Sequence, residues 1–450
     1  MNASAIVLAA GAGTRMKSKK PKLAHEMLGK PLVRWVVDTL KSAGIDHVVS
    51  VVGHGREQVI PLVEKDTSIV VQNQLRGTAD AVNSCRANFE NYEGSLLVIS
   101  GDSPLISPET IKALIAKKEK EQAAAVVLSM KLDDPFGYGR IVRTTSGTLE
   151  RIVEQKDCDG SQAALTECNS GIYCFDAQAL FDALAQVNNQ NAQGEFYLTD
   201  VLEISRKTGR RVFAMQTPHP EECIGINSRS QLAQASALAQ KRINEHFMDQ
   251  GVTMTDPSLV WIGPDVQIDS DVEILPMTSL FGRTSVGEDC IIGPNTRLLD
   301  TTVGKACRLD ETIAQNAQIA DEVECGPRAY LRPGADIRKG AKVGTSVEVK
   351  KSIVGQNSKV PHLSYIGDAE IGEDVNIGAG SITCNYDGQK KHKTIIDNNV
   401  FVGSDTMLVA PVHIGSGATI GAGSVITEDV SDRALGLGRA RQVEIPDWAK

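Results

Sequence analysis

The feature that most constrains this fold is a six-residue period in the second half of the chain, between Val260 and Val430. An aliphatic residue recurs at this period, and a small residue, usually glycine, often follows it directly. The aliphatic–glycine pairs begin at Ile262, Val286, Ile292, Val303, Val343, Val354, Ile366, Ile371, Ile377, Val402, Ile414 and Ile420. A period of six matches neither an amphipathic helix nor a half-buried strand. It predicts a parallel β-helix of hexapeptide repeats with its aliphatic side chains inside, the alternative being a glycine-rich β-sandwich with accidental spacing.

One polar segment interrupts the repeats. After Ile382 the register breaks over residues 384–393, which read CNYDGQKKHK, and Ile395 resumes it. Insertions in a repeat array are extruded as loops on one face, and that face often binds the ligand. We therefore expect a binding site near Asn385 to Lys391.

Length, charge and cysteine content limit the class of protein. A chain of 450 residues exceeds one ordinary core, so two or three domains are expected. The formal net charge of -9 and the isoelectric point near 5.5 disfavour general binding to nucleic acid or anionic membranes. No apolar stretch approaches membrane length, and the first residues lack the pattern of a signal sequence. The nine cysteines contain no C-x-x-C pair, so we expect reduced thiols and a cytoplasmic location.

The first half of the chain alternates apolar runs with helical patterns. This alternation predicts an α/β domain with a largely parallel sheet, in which ligands bind at the loops that follow the strands. The predicted strands are residues 5–10, 48–52, 68–72, 96–100 and 124–128, and the predicted helices are residues 31–42, 78–88 and 108–120. A capping-box pattern at Ser228 to Gln231 predicts a connecting helix that ends near Gly251.

The loop after the first predicted strand contains Gly11-Ala-Gly and continues to Lys22. It departs from a dinucleotide-binding fingerprint because Met16 stands at the position of the third glycine. A glycine turn that exposes backbone N–H groups, with Arg15 and Lys22 nearby, can hold a triphosphate. The alternative is a tight turn with solvated basic residues.

A second turn follows the fourth predicted strand and contains Ser100-Gly-Asp102. A carboxylate just beyond a strand, in a glycine- and proline-containing turn, is well placed to bind Mg²⁺, which prefers one or two protein oxygens together with phosphates. The alternative is an aspartate that caps the next helix.

Together these segments resemble a family of bacterial bifunctional enzymes that are both N-acetylglucosamine-1-phosphate uridyltransferases and glucosamine-1-phosphate N-acetyltransferases. The motifs in the first half are Leu8-Ala-Ala-Gly-Ala-Gly-Thr-Arg-Met16, Pro21-Lys22, Gly77-Thr78, Ser100-Gly-Asp102, Gly137-Tyr-Gly-Arg-Ile141 and Glu195-Phe-Tyr-Leu-Thr-Asp200. Those in the second half are Leu331-Arg-Pro-Gly334, Glu348-Val-Lys-Lys351, Asn376-Ile-Gly-Ala-Gly380, Asn385-Tyr-Asp-Gly388 and Val402-Gly-Ser-Asp405. The first set alone indicates a sugar-nucleotide nucleotidyltransferase, and the repeats with their tyrosine-bearing insertion narrow the resemblance to the bifunctional family.

For the first half, the resemblance implies a Rossmann-like α/β nucleotidyltransferase domain. It would transfer uridylyl from UTP to N-acetylglucosamine-1-phosphate, releasing pyrophosphate. The residues implied to bind UTP and UDP-N-acetylglucosamine are Leu8, Ala9, Ala10, Gly11, Lys22, Gln72, Gly77, Thr78, Ser100, Gly101, Asp102, Gly139, Glu154, Asn169 and Asn227. Among these Gly139, Glu154 and Asn169 would meet the amino sugar. Arg15 and Lys22 would be catalytic at the phosphates, and Asp102 and Asn227 would bind Mg²⁺.

For the second half, the resemblance implies a left-handed parallel β-helix that transfers acetyl from acetyl-CoA to glucosamine-1-phosphate. The sugar phosphate would be bound by Arg332, Lys350, Tyr365, Asn376 and Lys391. Coenzyme A would be bound by Ala379, Asn385, Tyr386, Ser404, Ala422 and Arg439. His362 would be the general base, since an imidazole can take a proton near neutral pH.

The resemblance also implies how the chain is divided and what it assembles with. Residues 1–227 would form the uridyltransferase domain, residues 228–250 a connecting helix, and residues 251–450 the acetyltransferase domain. Acetylation would precede uridylylation, and the product would supply peptidoglycan and lipopolysaccharide-type polymers. The chain would form a homotrimer with small-molecule substrates and no nucleic-acid partner.

Two positions depart from the family pattern, and two other readings of the sequence stay open. Asp80 stands where a histidine is usual, and Pro361 stands where a glycine usually precedes His362. The first other reading is a nucleotidyltransferase whose repeats serve only oligomerisation and regulation, as in the resembling glucose-1-phosphate adenylyltransferases. The second is a trimeric scaffold that binds sugar nucleotides without turning them over. His362, Lys391 and the Asn385-Tyr386 pair disfavour a purely structural coil.

Overall fold

The computed structural model describes residues 2–448 of the chain. The chain forms two compact units, Met1–Ala237 and Leu238–Lys450. The helix Arg229–Asp249 contains the point of division. Among the described residues, no helix is long and apolar enough to span a bilayer.

The first unit is built around a nine-stranded sheet. Its strands, together with the small hairpin β2–β3, are β1 (Ala3–Ala9), β2 (Glu26–Met27), β3 (Lys30–Pro31), β4 (Val48–Val52), β5 (Ser68–Val71), β6 (Ser95–Ser100), β7 (Ala125–Lys131), β8 (Arg140–Arg143), β9 (Leu149–Val153), β10 (Glu167–Asp176) and β11 (Val212–Gln216). The order is β11-β7-β10-β6-β1-β4-β5, with β8 paired to β10 and β9. The pairs β6–β1, β1–β4, β4–β5 and β7–β11 are parallel, whereas β10 runs antiparallel to both β6 and β7.

Helices cover the sheet of the first unit, and their buried positions recur at helical spacing. They are α1 (Leu32–Ser42), α2 (Arg56–Val63), α3 (Thr78–Asn83), α4 (Pro108–Lys120), α5 (Gly160–Ala163), α6 (Ala177–Leu184) and α7 (Asp200–Lys207). The last helix, α8 (Arg229–Asp249), continues into the second unit, where Phe247 belongs to the apolar core of the repeats. In α1, for example, Leu32, Val33, Val36, Val37 and Leu40 are all buried. Two apolar clusters, one with Val7, Val36 and Leu114 and one with Ile6, Val98 and Phe175, form the core.

The predicted elements of the first half are present, with one correction. The helix predicted over residues 78–88 ends at Asn83, and a 3-10 turn follows at Arg86–Phe89. The Ser84 hydroxyl donates to the Asp80 carbonyl at 2.9 Å, a local bond that competes with continuation of the helix. The connecting helix begins one residue after Ser228, whose hydroxyl accepts from the Gln231 N–H.

The second unit is a β-helix of three parallel sheets, which confirms the hexapeptide prediction. The first solenoid sheet contains Thr253–Met254, Glu273–Ile274, Ile291–Ile292, Arg308–Leu309, Glu324–Cys325, Lys342–Thr345, Lys359–His362, Asn376–Ile377, Phe401–Val402, Thr419–Ile420 and Leu435–Gly436. The second contains Val260–Ile262, Thr278–Phe281, Arg297–Leu299, Ile313–Gln315, Tyr330–Leu331, Glu348–Lys350, Tyr365–Gly367, Ile382–Cys384, Met407–Val409 and Val425–Ile426. The third contains Gln267–Ile268, Ser285–Val286, Thr302–Val303, Gln318–Ile319, Asp336–Ile337, Ile353–Val354, Ala369–Ile371, Thr394–Ile396 and Val412–Ile414.

The aliphatic residues of the period fill the interior of the β-helix. One continuous apolar cluster runs from Phe247 to Ile426 and contains all twelve aliphatic residues of the pairs given above. Small residues that follow them permit close stacking of the coils: a Cβ on Gly355 would lie 2.0 Å from the Gly372 carbonyl oxygen. The six-residue period therefore reflects two requirements: an aliphatic side chain that fills the interior of each coil, and a small residue where adjacent coils stack closely.

The polar interruption is extruded, as predicted. Val354 pairs with Ile371 and Ile371 pairs with Ile396, so the coil that carries the insertion is longer than the coil before it. A bridge between Tyr386 and Lys391 closes the insertion into a short hairpin. The coil resumes at the strand Thr394–Ile396.

Candidate active sites

A cavity of about 520 Å³ lies at the carboxyl ends of the parallel strands β1, β5 and β6. Carboxyl ends of parallel strands share one edge of a sheet, so the loops that follow them meet there. Ten of the residues predicted from the sequence line this cavity: Leu8, Ala10, Gly11, Lys22, Gln72, Gly77, Thr78, Ser100, Glu154 and Asn169. The structure thus brings most of the predicted nucleotide- and sugar-binding residues to one cavity.

Lys22 links the cavity to the two predicted metal ligands. Its ammonium group donates to a carboxylate oxygen of Asp102 and, at 3.0 Å, to the side-chain oxygen of Asn227. Asp102 is only 8% exposed, and its backbone oxygen accepts from the Ile226 N–H at 2.9 Å. A carboxylate oxygen and an amide oxygen therefore converge on one cationic position.

Gln72 and Asp80 form a second polar group at the cavity. Gln72 Nε2 lies 2.9 Å from Asp80 Oδ2 and 3.3 Å from the Gly77 carbonyl oxygen. Asp80 Oδ1 accepts from Arg76 Nη2 at 2.7 Å. Asp80 therefore joins the amide of a cavity residue to a surface guanidinium group.

Two of the predicted sugar-binding residues, Glu154 and Asn169, line the same cavity. Thr199 donates to Glu154 Oε1 at 3.3 Å, and Asn169 Nδ2 donates to the Tyr173 hydroxyl at 2.7 Å. Burial raises the pKa of Glu154 above the usual range for a glutamate. Gly139 is adjacent, because its carbonyl accepts from the Asn169 N–H at 2.8 Å.

Some predicted residues of the first unit are not on the cavity wall. Ala9 is buried in β1, and Gly101 follows β6, with its N–H bonded to the Leu8 carbonyl. Arg15 is exposed in a 3-10 turn, Thr14–Met16, and no described residue pairs with it. Arg15 therefore lies beside the glycine turn at Gly13, and its guanidinium group forms no ion pair that would stabilise the described fold.

In the β-helix, three predicted cations converge at the ends of neighbouring strands of the second solenoid sheet. Leu331 pairs with Val349 and Lys350 pairs with Gly367, which places Arg332 beside Lys350 on adjacent coils. Lys391 reaches the same place from the insertion, where the neighbouring Lys350 lowers the pKa of the Lys391 ammonium. Positive charge is thus concentrated at this point, and the Asp368 carboxylate lies 3.4 Å from Lys350 Nζ.

Asp368 also organises the residues around the cations. Asn385 Nδ2 donates to the same Asp368 oxygen and lies 3.5 Å from the Tyr365 hydroxyl. Arg332 is held separately by Glu348 Oε1 at 2.7 Å. Tyr365 pairs with Glu348 across adjacent coils. Three predicted residues, Lys350, Tyr365 and Asn385, therefore share one polar network with Asp368, and the Arg332–Glu348 pair lies on the neighbouring coils.

His362 begins a column of predicted residues along the corner that follows the first solenoid sheet. Lys359 pairs with Asn376, Asn376 with Phe401, and Val402 with Ile420, so equal offsets place His362, Ala379, Ser404 and Ala422 on successive coils. His362, Ser404 and Ala422 are exposed. The predicted base therefore stands at one end of the row predicted to line coenzyme A.

The His362 corner and the cation cluster lie at the two ends of one strand, Tyr365–Gly367. Three residues of strand span about 10 Å, which matches the size of a sugar phosphate. Asn376 lies next to Lys359 in the first solenoid sheet. Tyr386 is 60% exposed in the insertion, and Arg439 is exposed in the C-terminal segment, with no hydrogen-bond or ion-pair partner among residues 2–448.

Sequence reasoning missed several polar residues at these sites. Tyr173, Glu195 and Thr199 line the cavity of the first unit. Glu195 and Thr199 lie in the motif Glu195-Phe-Tyr-Leu-Thr-Asp200, which supported the family resemblance, but the sequence indicated no role for either residue. Asp368 followed an aliphatic–glycine pair and looked like an ordinary turn residue. Among residues 2–448, no group of three or more His, Cys, Asp or Glu side chains is arranged to hold a metal ion.

Two family models match the chain. The MobA-like NTP transferase domain matches residues 5–208, and the bacterial transferase hexapeptide (six repeats) matches residues 393–428. A crystal structure of UDP-glucose pyrophosphorylase complexed with UDP-glucose aligns with 54% of this chain and all of its own, with a TM-score of 0.44 and 21% identity.

Curated relatives match nearly the whole chain. The bifunctional protein GlmU of Halalkalibacterium halodurans is 46% identical over 98% of this chain and 97% of its own length. The bifunctional protein GlmU of Caldanaerobacter subterraneus subsp. tengcongensis is 46% identical over 99% and 97% of the two chains. That of an Exiguobacterium species is 44% identical over the full length of both. These matches confirm the family predicted from the motifs: the chain belongs to the family of bifunctional GlmU proteins.

Proposed function

We propose that this chain catalyses two successive reactions that make UDP-N-acetylglucosamine. The β-helix acetylates glucosamine-1-phosphate with acetyl-CoA, and the α/β unit then transfers uridylyl from UTP to N-acetylglucosamine-1-phosphate. The observation that carries this proposal is full-length similarity to bifunctional relatives in a chain with two separate polar clusters. Residues 1–227 are assigned to uridylyl transfer, 228–250 to the connecting helix and 251–450 to acetyl transfer.

In the uridylyl reaction, an oxygen of the sugar phosphate attacks the α-phosphorus of UTP and pyrophosphate leaves. Little covalent help is needed, because positioning and stabilisation of spreading negative charge supply most of the catalysis. Lys22 at the cavity wall and Arg15 beside the glycine turn are the cations for that charge. Uridine is assigned to the segment Leu8 to Gly11, in which Ala9 supports the lining residues from inside β1, and to Gln72, Gly77 and Thr78.

Asp102 and Asn227 fit a site for Mg²⁺ in this reaction. Their side-chain oxygens converge on the Lys22 ammonium, and a carboxylate with an amide oxygen is a suitable ligand set for a hard cation that keeps phosphate and water ligands. When bound there, Mg²⁺ supplies positive charge to the phosphates of UTP. Lys22 holds the side-chain oxygens of Asp102 and Asn227 close together. If these oxygens bound a cation instead, the Lys22 ammonium would be free to bind a phosphate.

The amino sugar is assigned to Gly139, Glu154 and Asn169. The Glu154 carboxylate is a hydrogen-bond acceptor for sugar hydroxyl groups, and Asn169 is held in place by Tyr173. Since burial raises the pKa of Glu154, its ionised form is less stable than that of an exposed glutamate, and donors from a sugar would offset that cost.

In the acetyl reaction, the amine of glucosamine-1-phosphate attacks the thioester carbonyl carbon. The C–S bond breaks, an amide forms, and His362 takes the amine proton and passes it to the departing thiolate. Arg332, Lys350 and Lys391 bind the phosphate, with Tyr365 and Asn376 beside the sugar. The distance of about 10 Å along the strand Tyr365–Gly367 lets the phosphate lie at the cations while the amine lies towards His362.

Acetyl-CoA is assigned to the row that continues from His362. Ala379, Ser404 and Ala422 are the small residues of that row, so a long ligand can lie across the coils without obstruction. Asn385 and Tyr386 approach from the insertion, and Arg439 offers a cation to the coenzyme phosphates. We assign a homotrimer, in which Arg439 and the insertion of one copy reach a neighbour, and a cytoplasmic location, which the uncrosslinked cysteines favour.

Release of free coenzyme A is the experiment that tests this function. Purified protein with acetyl-CoA and glucosamine-1-phosphate should release thiol that a chromogenic disulfide detects. With N-acetylglucosamine-1-phosphate in place of the amine, release should fall to background, because the nucleophile is already acylated. No thiol release in a preparation that forms pyrophosphate from UTP and N-acetylglucosamine-1-phosphate would leave a nucleotidyltransferase with a structural β-helix.

A further inference from the structure

The hydrogen bonds of the Gln72 side chain show which amide atom is the nitrogen and which is the oxygen. The residue is 94% buried and lines the cavity with Leu75 and Thr78. Its Nε2 lies within hydrogen-bond distance of Asp80 Oδ2, at 2.9 Å, and of the Gly77 carbonyl oxygen, at 3.3 Å. Both neighbours are oxygens.

A carboxylate and a peptide carbonyl can only accept hydrogen bonds. A rotation that exchanged the oxygen and nitrogen of the Gln72 amide would place Oε1 against both of these acceptors. That arrangement leaves buried acceptors facing each other without a proton, which is costly. The amide therefore keeps Nε2 towards Asp80, and Oε1 is left to accept a bond from another group.

No described residue donates to Gln72 Oε1. Because Gln72 lines the cavity, this oxygen is the part of its amide that remains for a ligand. Its bonding requirement is specific: the ligand must bring a donor.

Asp80 is itself held in place by its position in the first turn of α3 and by burial, since its side chain is only 14% exposed. Its second oxygen also accepts from Arg76 Nη2 at 2.7 Å, but the Arg76 side chain is 59% exposed, so this pair adds little. The carboxylate therefore acts on Gln72 from a rigid position, although it lies behind the cavity wall.

We propose that Asp80 sets the nucleobase preference of the nucleotidyl-transfer site by holding the Gln72 amide with its oxygen towards the base. This rests on the proposed function, in which Gln72 meets the base of the nucleotide. Uracil has an N–H group at ring position N3, whereas cytosine has an unprotonated nitrogen acceptor there. An oriented Oε1 pairs with the uracil donor and repels the cytosine acceptor, so UTP is preferred to CTP. Asp80 is a positioning residue and does not touch the substrate.

The test is the ratio of kcat/KM for UTP to kcat/KM for CTP, measured by pyrophosphate release with N-acetylglucosamine-1-phosphate. Asp80→Ala and Asp80→Leu remove the acceptor, so the amide can rotate, and the ratio should fall about tenfold to a hundredfold. Asp80→Asn keeps an oxygen that can accept from Nε2 and should retain most of the ratio. Arg76→Ala, the matched control, removes the outer partner of Asp80 and should leave the ratio within about twofold.

A double variant separates orientation from general charge. In a Gln72→Ala background, Asp80→Ala should no longer change the UTP-to-CTP ratio, because no amide remains to be oriented. Thermal unfolding and circular dichroism of the same preparations report whether the α/β unit of each variant is folded. An unchanged ratio in both Asp80→Ala and Asp80→Leu, in protein that still uses UTP, would overturn this inference alone. Wild-type protein that releases no pyrophosphate with either nucleotide would overturn the proposed function and the inference together.

Discussion

At the scale of single residues, one cation and one general base, in different surroundings, carry the two proposed reactions. Lys22 is held by Asp102 and Asn227 at the edge of a cavity, so its charge is positioned before a nucleotide arrives. His362 is exposed, and among residues 2–448 its imidazole has no hydrogen-bond partner, while its backbone oxygen accepts from the Ser364 hydroxyl and the Gly380 N–H. Its imidazole is therefore free to meet a substrate.

Replacing His362 with alanine should lower kcat for acetyl transfer by at least about a hundredfold, the usual contribution of a positioned general base. Pyrophosphate release in the uridylyl reaction should stay near the wild-type rate. The measurement is steady-state thiol release at saturating acetyl-CoA and glucosamine-1-phosphate.

His413→Ala is the matched control for this variant, because His413 is also exposed on the β-helix but pairs with Asp397 at 2.8 Å. It should keep most of the acetyl-transfer rate. If His362→Ala retained more than about a tenth of wild-type kcat, His362 would not be the base.

Asp200, the first residue of α7, should make stability depend on pH. Burial, together with the nearby carboxylates of Glu203 and Asp157, raises the pKa of Asp200 to about 6. A carboxyl whose folded-state pKa lies above its unfolded value favours the folded state when protonated, and this contribution is lost as pH rises through about 6. Asp200→Asn should therefore raise Tm relative to wild type at pH 8, with a smaller difference at pH 5.

Thermal unfolding of the two proteins from pH 5 to pH 8 measures this difference. Glu203→Gln removes the neighbouring like charge, so it should move the midpoint of the wild-type pH dependence to lower pH. A Tm difference between wild type and Asp200→Asn that stays constant over this range would show that Asp200 does not titrate there.

At the scale of elements, the insertion at residues 385–391 is a structured hairpin that presents Lys391. Asp387 holds it: Oδ1 accepts from the N–H groups of Gln389 and Lys390 at 2.7 and 2.6 Å, and Oδ2 lies 2.7 Å from His392 Nε2. The same bonds hold the pKa of Asp387 well below its usual range. The turn therefore depends on one carboxylate.

Replacing Asp387 with alanine should loosen this hairpin and spread the positions of Lys391. We expect KM for glucosamine-1-phosphate to rise about tenfold, equivalent to ~1.4 kcal/mol, with a smaller change in kcat. The comparison is Asp397→Ala, which removes a carboxylate–histidine pair elsewhere on the β-helix. Equal effects of the two variants on KM would contradict a specific role for the insertion.

The sequence predicted the structure best in the β-helix, where the same requirement for an inward aliphatic side chain recurs in every coil. The aliphatic period predicted the β-helix and the extruded insertion, because each inward residue meets the same interior. It did not reveal that β10 runs antiparallel within the first sheet, since strand direction depends on partners far apart in sequence. The role of Asp368 was equally hidden, and Asp80 was noticed only as a departure from the family pattern, because the contacts of both side chains are formed only by folding.

At the scale of the whole molecule, the C-terminal segment is unlike the rest of the β-helix. Val443, Ile445 and Trp448 are 79%, 61% and 80% exposed, and Arg439 has no partner among the described residues. Exposed large apolar side chains that lie close together favour contact with the surface of another protein chain. A homotrimer would give these residues neighbours and close the assembly by cyclic symmetry.

Sedimentation equilibrium at micromolar concentration should therefore give three times the chain mass of 48.2 kDa. Truncation after Gly438 should weaken acetyl transfer more than uridylyl transfer, because it removes Arg439 and the apolar residues together. A monomer with full acetyl-transfer activity would rule out a shared site.

The separation of the two reactions is tested most directly by measuring both activities in Asp102→Ala and His362→Ala, alone and mixed. Asp102→Ala removes the carboxylate that holds Lys22, so uridylyl transfer should be lost while thiol release stays near wild type. His362→Ala should show the reverse. An equal mixture of the two folded variants should convert glucosamine-1-phosphate, acetyl-CoA and UTP into UDP-N-acetylglucosamine, since the acetylated intermediate can pass through solution. Loss of both activities in either folded variant would contradict two independent sites in one chain.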